Sequence, residues 1–252
     1  MKIKTSYIII SWNGRELLQD LLQSMRHQLQ RTDIEVIVTD NGSTDGTLEW
    51  LHNTYPMVRV IALKENKGVA FARNRALEVA QGEYLLILDN DICITDEAIS
   101  GLENYMDSHP DVGMAGCRLQ YPSGEIQESC KEYPSIRLKI KHVLFPNRKT
   151  FAYTSEVEAN MPFEPVYIIG ACQMLRATVY QEAGPLDEHI FYGPEDCDYC
   201  LRIREHGSKV IYLPSYYMVH HCQRKTTAHP FSRLGRAHIR ALLYFYWKHK
   251  KL

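Results

Sequence analysis

Two acidic clusters stand where chemistry could be done. Asp89 and Asp91 flank Asn90 directly after the apolar run Leu85 to Leu88, and Glu195-Asp196 follow Gly193-Pro194. Four apolar residues in a row fit a short strand buried on both faces. Two carboxylates and an amide at the C-terminal lip of such a strand are costly to hold unless a cation compensates them. Hard oxygen ligands suit Mg²⁺ or Mn²⁺, ions that bridge a few carboxylates to substrate phosphates. The simpler alternative is a solvated turn, with Asp96 capping a helix over 96–108, since D-x-D is a short and common string. At the second cluster, Pro194 at the first helical position and three acids after it (Glu195, Asp196, Asp198) start a helix that runs to about His206 and stops at Gly207. Helix-dipole stabilisation accounts for one or two of these carboxylates and poorly for three. A carboxylate held at a reaction centre can instead take a proton from an attacking hydroxyl. His220-His221, downstream of an apolar strand over Lys209–Leu213, offers a neutral imidazole as a third ligand for Mn²⁺, with a surface or core histidine as the plain alternative. Cys197-x-x-Cys200 with His220, His221 and Cys222 could also be read as zinc ligands, but both cysteines would fall inside the predicted helix.

These residues need a scaffold, and the first half of the chain supplies a regular one. Apolar strands are predicted over Tyr7–Ser11, Glu35–Thr39, Val58–Leu63 and Tyr84–Leu88. Between them lie helical patterns over about Arg15–Gln28, Thr47–Asn53 (capped by Thr44 or Asp45) and Gly68–Ala80. This βαβαβαβ order predicts an α/β fold: a mostly parallel, twisted sheet flanked by helices on both faces. Ligands of such sheets sit beyond the C-terminal strand ends. Ser11-Trp12-Asn13, Asp40-Asn41-Gly42 and Asp89-Asn90-Asp91 are polar breaks after apolar strands, so all three should face one crevice. Asp40 is placed to accept hydrogen bonds from a base or ribose. Neither G-x-x-x-x-G-K-[ST] nor G-x-G-x-x-G occurs, so a nucleotide here would need a metal rather than a glycine loop to neutralise its phosphates.

The second half is less regular. Residues 121–165 hold five prolines and a basic stretch from Lys131 to Lys149, which reads as long loops with a short helix. Val166–Ile169 is a predicted strand leading into Gly170-Ala171, Gln173–Arg176 and a short helix to Gly184, and Asp187 reads as a cap or turn residue.

Length and composition set the bounds. At 252 residues with 45% apolar residues the chain can build one α/β domain of good core size. No run approaches the ~20 apolar residues of a membrane span and no signal peptide is visible. Seven cysteines at scattered spacing suit reduced thiols in a cytoplasm. The net charge of −1 hides an asymmetry, because positions 206–252 contain Lys and Arg but no Asp or Glu. The tail Phe231–Trp247 is amphipathic: Phe231, Leu234, Ala241, Leu242, Phe245 and Tyr246 share one arc, and Arg233, Arg236 and Arg240 lie opposite. Peripheral contact with an anionic membrane through 231–251, packing on the protein body, and packing on a second subunit all fit this pattern.

Five ordered blocks carry a resemblance. SYIIISWNGRELLQDLLQSM, VIVTDNGSTDGT, NKGVAFARNRALEVAQGEYLLILDND, IIGACQMLRATVYQEAGPLDE and FYGPEDCDYCLRIREHGSKVIYLPSYYMVHH together resemble family 2 glycosyltransferases of the GT-A fold, in their bacterial rhamnosyltransferase-like branch. The likeness runs from about residue 5 to 225. It departs from the pattern at Gln173, where a larger apolar residue is usual, and at Pro194 before the acidic pair. The resemblance implies a GT-A domain over 1–225, with a nucleotide-sugar-binding half (1–120) and an acceptor and catalytic half (121–225), followed by the basic amphipathic helix of the 226–252 tail. It implies Ser11, Asn13, Asp40, Arg73, Asp89 and Asn90 as nucleotide contacts, and Asp91, Asp89 and His220 as ligands of Mn²⁺ or Mg²⁺. Asp196 would be the general base beside Glu195, and Gly170, Ala171 and Asp198 would shape the acceptor site. For Arg73 a structural salt bridge remains the alternative. The implied activity is inverting transfer of a sugar from dTDP-L-rhamnose or a UDP-hexose to a hydroxyl of a growing cell-surface glycan. The implied acceptor is a glycan or lipid-linked glycan rather than a nucleic acid, handled in the cytoplasm or at the inner face of the cell membrane. A nucleotidyltransferase making nucleotide sugars is less consistent, because Ser11-Trp12-Asn13-Gly14 lacks that class's glycine-rich basic loop. A non-catalytic nucleotide-sugar-binding subunit is also less consistent, because both acidic clusters are present.

Overall fold

The computed structural model describes residues 2–134, 152–222 and 233–250. Most of the basic stretch from Lys131 to Lys149, and the start of the predicted tail helix at Phe231, lie outside them. The first half follows the predicted alternation: β1 (Thr5–Ser11), α1 (Arg15–Ser24), β2 (Ile34–Asp40), α2 (Thr47–Thr54), β3 (Arg59–Ala62), α3 (Val69–Leu77) and β4 (Tyr84–Asp89). Next come β5 (Ile92–Cys93), α4 (Asp96–Ser108), β6 (Val112–Gln120), β7 (Ile126–Gln127) and β8 (Cys130–Lys131). The chain then forms α5 (Thr154–Glu158), β9 (Tyr167–Ile168), β10 (Cys172–Arg176), α6 (Ala177–Ala183), α7 (Glu195–Glu205), β11 (Lys209–His220) and α8 (Arg233–His249).

The main sheet runs β3-β2-β1-β4-β10-β6-β11-β5, with β7 on the end of β6, while β8 and β9 pair as a separate ribbon. Strands β1 to β4 are parallel. β10 enters antiparallel between β4 and β6, and β6 and β11 are parallel again. Alternate strand residues feed two cores. Tyr7, Ile9, Val38 and Leu86 pack with Leu18 and Leu22 of α1 and Leu102 of α4. Ile8, Ile37, Leu85 and Ile87 face the other way, onto Ala70 of α3, Tyr199 and Ile203 of α7 and Phe245 of α8. The near-continuous apolar strands of the sequence follow from this covering on both faces.

Several predicted boundaries move for identifiable reasons. α1 ends at Ser24, four residues short of Gln28, because Ser24 Oγ turns back to donate to the Leu21 carbonyl and accepts from the Ile94 N–H. Thr95, not Asp96, caps α4 by accepting from the Ala98 N–H, which leaves Asp96 to accept from Gln28 and pair with His27. Asp45 serves two helices, accepting from Thr47 N at α2 and from Arg15 N at α1. β11 continues past Leu213, since Pro214 falls within the register shift between Leu213 and Tyr217, where a missing N–H breaks no ladder bond. Asp187, read as a turn residue, accepts from the His189 N–H and also holds Lys248 and the Tyr244 hydroxyl of α8. α8 packs its Ala241, Phe245 and Tyr246 on the body.

Candidate active site

The sheet register delivers the predicted crevice. Ser11 pairs with Asp40 across β1 and β2, and Ile10 with Asp89 across β1 and β4, so the three polar breaks emerge side by side. They border a cleft of ≈ 460 Å³, within the ~300–1,000 Å³ typical of small-molecule sites. Ser11, Asn13, Arg73, Asp89, Asn90, Asp91, Gly170, Ala171, Glu195, Asp196 and His220 all line it. Asn90 donates to Ser11 Oγ at 3.1 Å. Asn13 sits at φ +48°, with its side-chain oxygen accepting from Thr44 N at 2.8 Å, and this fixes the turn after β1.

Two predicted contacts are not on the cleft wall. Asp40 is fully buried at the end of β2, with Oδ2 accepting from Ser43 N and Oδ1 without a protein partner. Asp198 is also fully buried, but on the far side of α7. There Arg202, Lys248 and His249 surround it at 2.7–3.0 Å. It therefore ties α8 to α7, away from the cleft.

The metal-ligand triad forms because β5 pairs with β11, setting Ile92 opposite His220. Ligand atoms of Asp89, Asp91 and His220 lie within 4.8 Å of one another, the one such group among the described residues. His220 Nε2 is 3.2 Å from Asp91 Oδ1, and Nδ1 is 2.6 Å from Gln127 Oε1. An amide oxygen only accepts, so this contact places the ring proton on Nδ1 and turns the Nε2 lone pair towards the two carboxylates. Two carboxylates and one such nitrogen, crowded together, make a donor set that fits a divalent cation. Burial, followed by the charge of Asp91, pushes Asp89 up despite the opposing Arg73 guanidinium.

Arg73 joins the two acidic clusters. Its guanidinium is almost fully buried and donates to Asp89 Oδ1 and the Gly170 carbonyl, each at 2.7 Å, and lies 3.5 Å from Glu195 Oε1. A Cβ on Gly170 would come within 2.4 Å of that guanidinium, so a side chain there would displace it from Asp89 and Glu195. Glu195 Oε2 accepts from Gly193 N at 2.8 Å. Burial first, and the neighbouring Asp196 charge second, push Glu195 up to about 8. Asp196 is half-buried at the cleft, with one oxygen accepting from Cys197 N at 2.7 Å and the other from Gly170 N at 3.3 Å. Burial raises it too, against the pull of those N–H groups, Lys131 and Arg73. Adjacent carboxylates of which one keeps its proton are a usual way to leave the other free to act as a base.

Three features in or beside the cleft were not assigned to it from the sequence. Gln127, which orients His220, lies on a two-residue strand with no periodic signal. His238 and Leu242 of α8 line the cleft, and a Cβ on Gly193 would meet the His238 ring. Lys131, seen only as part of a basic stretch, is a cleft-lining cation near Asp196. The zinc alternative is not assembled: Cys197 and Cys200 are buried inside α7 among apolar side chains, whereas His220 belongs with Asp91.

Comparison with known proteins gives a consistent answer. Residues 6–184 match the model of the family described as glycosyl transferase family 2. An N-acetylglucosaminyl-diphospho-decaprenol L-rhamnosyltransferase of Mycobacterium tuberculosis is 27% identical over 259 residues, spanning 96% of this chain and 84% of the relative. The dTDP-rhamnosyl transferase RfbF of Shigella flexneri is 27% identical over 202 residues, 79% of this chain and 64% of its own length. Among solved structures, the mannosyltransferase PcManGT from Pyrobaculum calidifontis, in complex with GDP-Man and Mn²⁺, superposes with a TM-score of 0.64 at 21% identity. That match covers 89% of this chain and 59% of the solved one.

Proposed function

The chain belongs to glycosyl transferase family 2 and has a GT-A fold, and on that premise we propose that it is an inverting, metal-dependent transferase of sugar from a nucleoside-diphosphate donor to a hydroxyl. The observation that carries this reading is the Asp89-Asp91-His220 triad sharing one cleft with Glu195-Asp196. Residues 1–120 supply the donor wall and 121–225 the acceptor wall. Ser11, Asn13 and Asn90 line the nucleotide side with Asn41, while Asp40, buried behind it, holds the turn at Ser43. Asp89, Asp91 and His220 would hold Mn²⁺ or Mg²⁺, and an imidazole nitrogen among the ligands favours Mn²⁺. When bound, the ion supplies positive charge for the departing diphosphate.

Asp196 takes the proton from the acceptor hydroxyl as that oxygen attacks the anomeric carbon from the face opposite the diphosphate. Glu195, raised to about 8, keeps its proton near neutral pH and so adds no negative charge beside Asp196. Arg73 positions both Asp89 and Glu195 and spans donor and acceptor walls. The two rhamnosyltransferase relatives support dTDP-L-rhamnose over a UDP-hexose as donor, and the first supports a lipid-diphosphate-linked glycan as acceptor.

The test is nucleoside diphosphate release from a panel of dTDP-rhamnose, UDP-glucose, UDP-galactose, UDP-N-acetylglucosamine and GDP-mannose, with Mn²⁺ and with EDTA. Slow release from dTDP-rhamnose that EDTA stops is the expected result. No release from any donor, together with no Mn²⁺-dependent nucleotide binding, would overturn it.

A further inference from the structure

We infer that the outward face of α8 docks on the anionic surface of a lipid bilayer. The helix divides into two faces at 100° per residue. Ala241 and Phe245 are buried on the body, and His238 and Leu242 line the cleft. On the opposite arc Ile239, Leu243 and Trp247 are 49%, 63% and 74% exposed at four-residue spacing. Arg236 and Arg240 are exposed within the same arc, and Lys250 is exposed in the turn that follows the helix. A large apolar stripe flanked by cations and ending in an exposed Trp is the composition of an interfacial helix, which sinks its apolar side chains among headgroups. The amphipathic pattern predicted from sequence describes the buried face; this second, mixed face is visible only once the first is packed. Among the described residues no helix is long and apolar enough to cross a membrane, so the contact is peripheral.

Charge decides the occupant. Positions 206–252 carry no Asp or Glu. A symmetric pairing of two copies through α8 would therefore set cations against cations with no carboxylate between them, and three apolar side chains fall short of the ~800 Å² per partner of a stable protein interface. An anionic headgroup layer supplies the missing charge, at about fivefold in partition per cation near the surface. Its consequence for the acceptor rests on the glycosyl-transfer reading. The same helix walls the cleft on one side and would lie on the bilayer with the other, so the acceptor site stands roughly one helix diameter, ~10 Å, above the headgroups. That is within reach of a sugar on a lipid diphosphate.

The test is co-sedimentation of the full chain with vesicles of phosphatidylcholine containing 30% phosphatidylglycerol, and with phosphatidylcholine alone, without donor or acceptor. Binding to the anionic vesicles only, weakened at high salt, is expected. Leu243→Glu/Trp247→Glu should abolish it, and Arg236→Ala/Arg240→Ala/Lys250→Ala should weaken it roughly 100-fold. Neither variant touches the core, and an unchanged melting temperature verifies that. Absence of binding by the parent chain would overturn the proposal, as would binding that survives both variants. A concentration-dependent dimer that Leu243→Glu/Trp247→Glu dissolves, without vesicle binding, would assign the face to a second copy instead. Because no turnover is measured, failure of the catalytic reading leaves this result intact.

Discussion

The two walls of the cleft are built in opposite ways. The wall assigned to the donor comes from β1, β2 and β4, neighbours in the sheet joined by short βα units, and each contributes the polar residues that directly follow its apolar run. The wall assigned to the acceptor is collected from β8, the loop before β10, the start of α7, the end of β11 and one side of α8, segments spread from position 131 to 242. Arg73 crosses from one wall to the other. Local order thus positions the proposed nucleotide side, while the proposed catalytic side depends on long-range packing.

Asp196→Asn should separate the walls most sharply. Transfer should fall by ~10²–10⁴-fold, while Mn²⁺-dependent nucleotide binding by titration calorimetry and the melting temperature stay near the parent values. Equal loss of nucleotide binding would mean that the walls do not act independently. Arg73→Met acts on both walls at once. It leaves the partly exposed Asp89 without its cation and the Gly170 carbonyl without its donor, so stability in urea should drop by about 1–3 kcal/mol, with weaker nucleotide binding as well. A drop below about 1 kcal/mol would make the crossing decorative.

Gln127→Leu tests whether the acceptor side reaches into the metal site. Losing the partner that sets the His220 tautomer should lower Mn²⁺ affinity about 10–100-fold, read by electron paramagnetic resonance of the free ion. Mg²⁺, an oxygen-preferring ion, should be affected less.

The smallest effect is a pH slope. Glu195 ordinarily titrates near 4.5 and is raised to about 8 in the folded chain. Between those values the folded state holds a proton that the unfolded state has released, so this group's contribution to stability is full below about 4.5 and is lost as pH rises through about 8. Glu195→Gln should flatten the stability–pH curve of the metal-free protein by at most about 1.4 kcal/mol per pH unit in that window. Superimposable curves would place Glu195 in a more solvated setting than its burial implies.

The contrast between walls also explains what could be read from sequence. The donor wall was legible because Leu85 to Leu88 and Asp89-Asn90-Asp91 are contiguous, and a βα unit sets strand, turn and ligand within a few residues. Glu195 and Asp196 were legible for the same reason, as a proline-led helix start. Gln127 was not: its partner His220 is far along the chain, and a two-residue strand has no periodicity. The antiparallel insertion of β10 was hidden too, since a five-residue strand does not state which strands it will separate. Asp198 shows the reverse difficulty. It shares a helical turn with Asp196, yet i and i+2 point to different sides of a helix. One faces the cleft, and the other meets Lys248 and His249 beneath α8.

The position of β10 also sets a timetable for the nascent chain. β1, β2, β3 and β4 can pair as soon as Asp89 has been made, but β6, complete at Gln120, has no sheet connection to β4 until β10 arrives at Cys172. His220 comes later still, on the last strand among the described residues. A growing chain thus presents Asp89 and Asp91 long before the third ligand exists, with one edge of β4 unpaired in the interval, the state in which strand edges are open to wrong partners. The proposed ion site is complete only once position 220 has been made, so a chain cut short before it would lack the third proposed ligand.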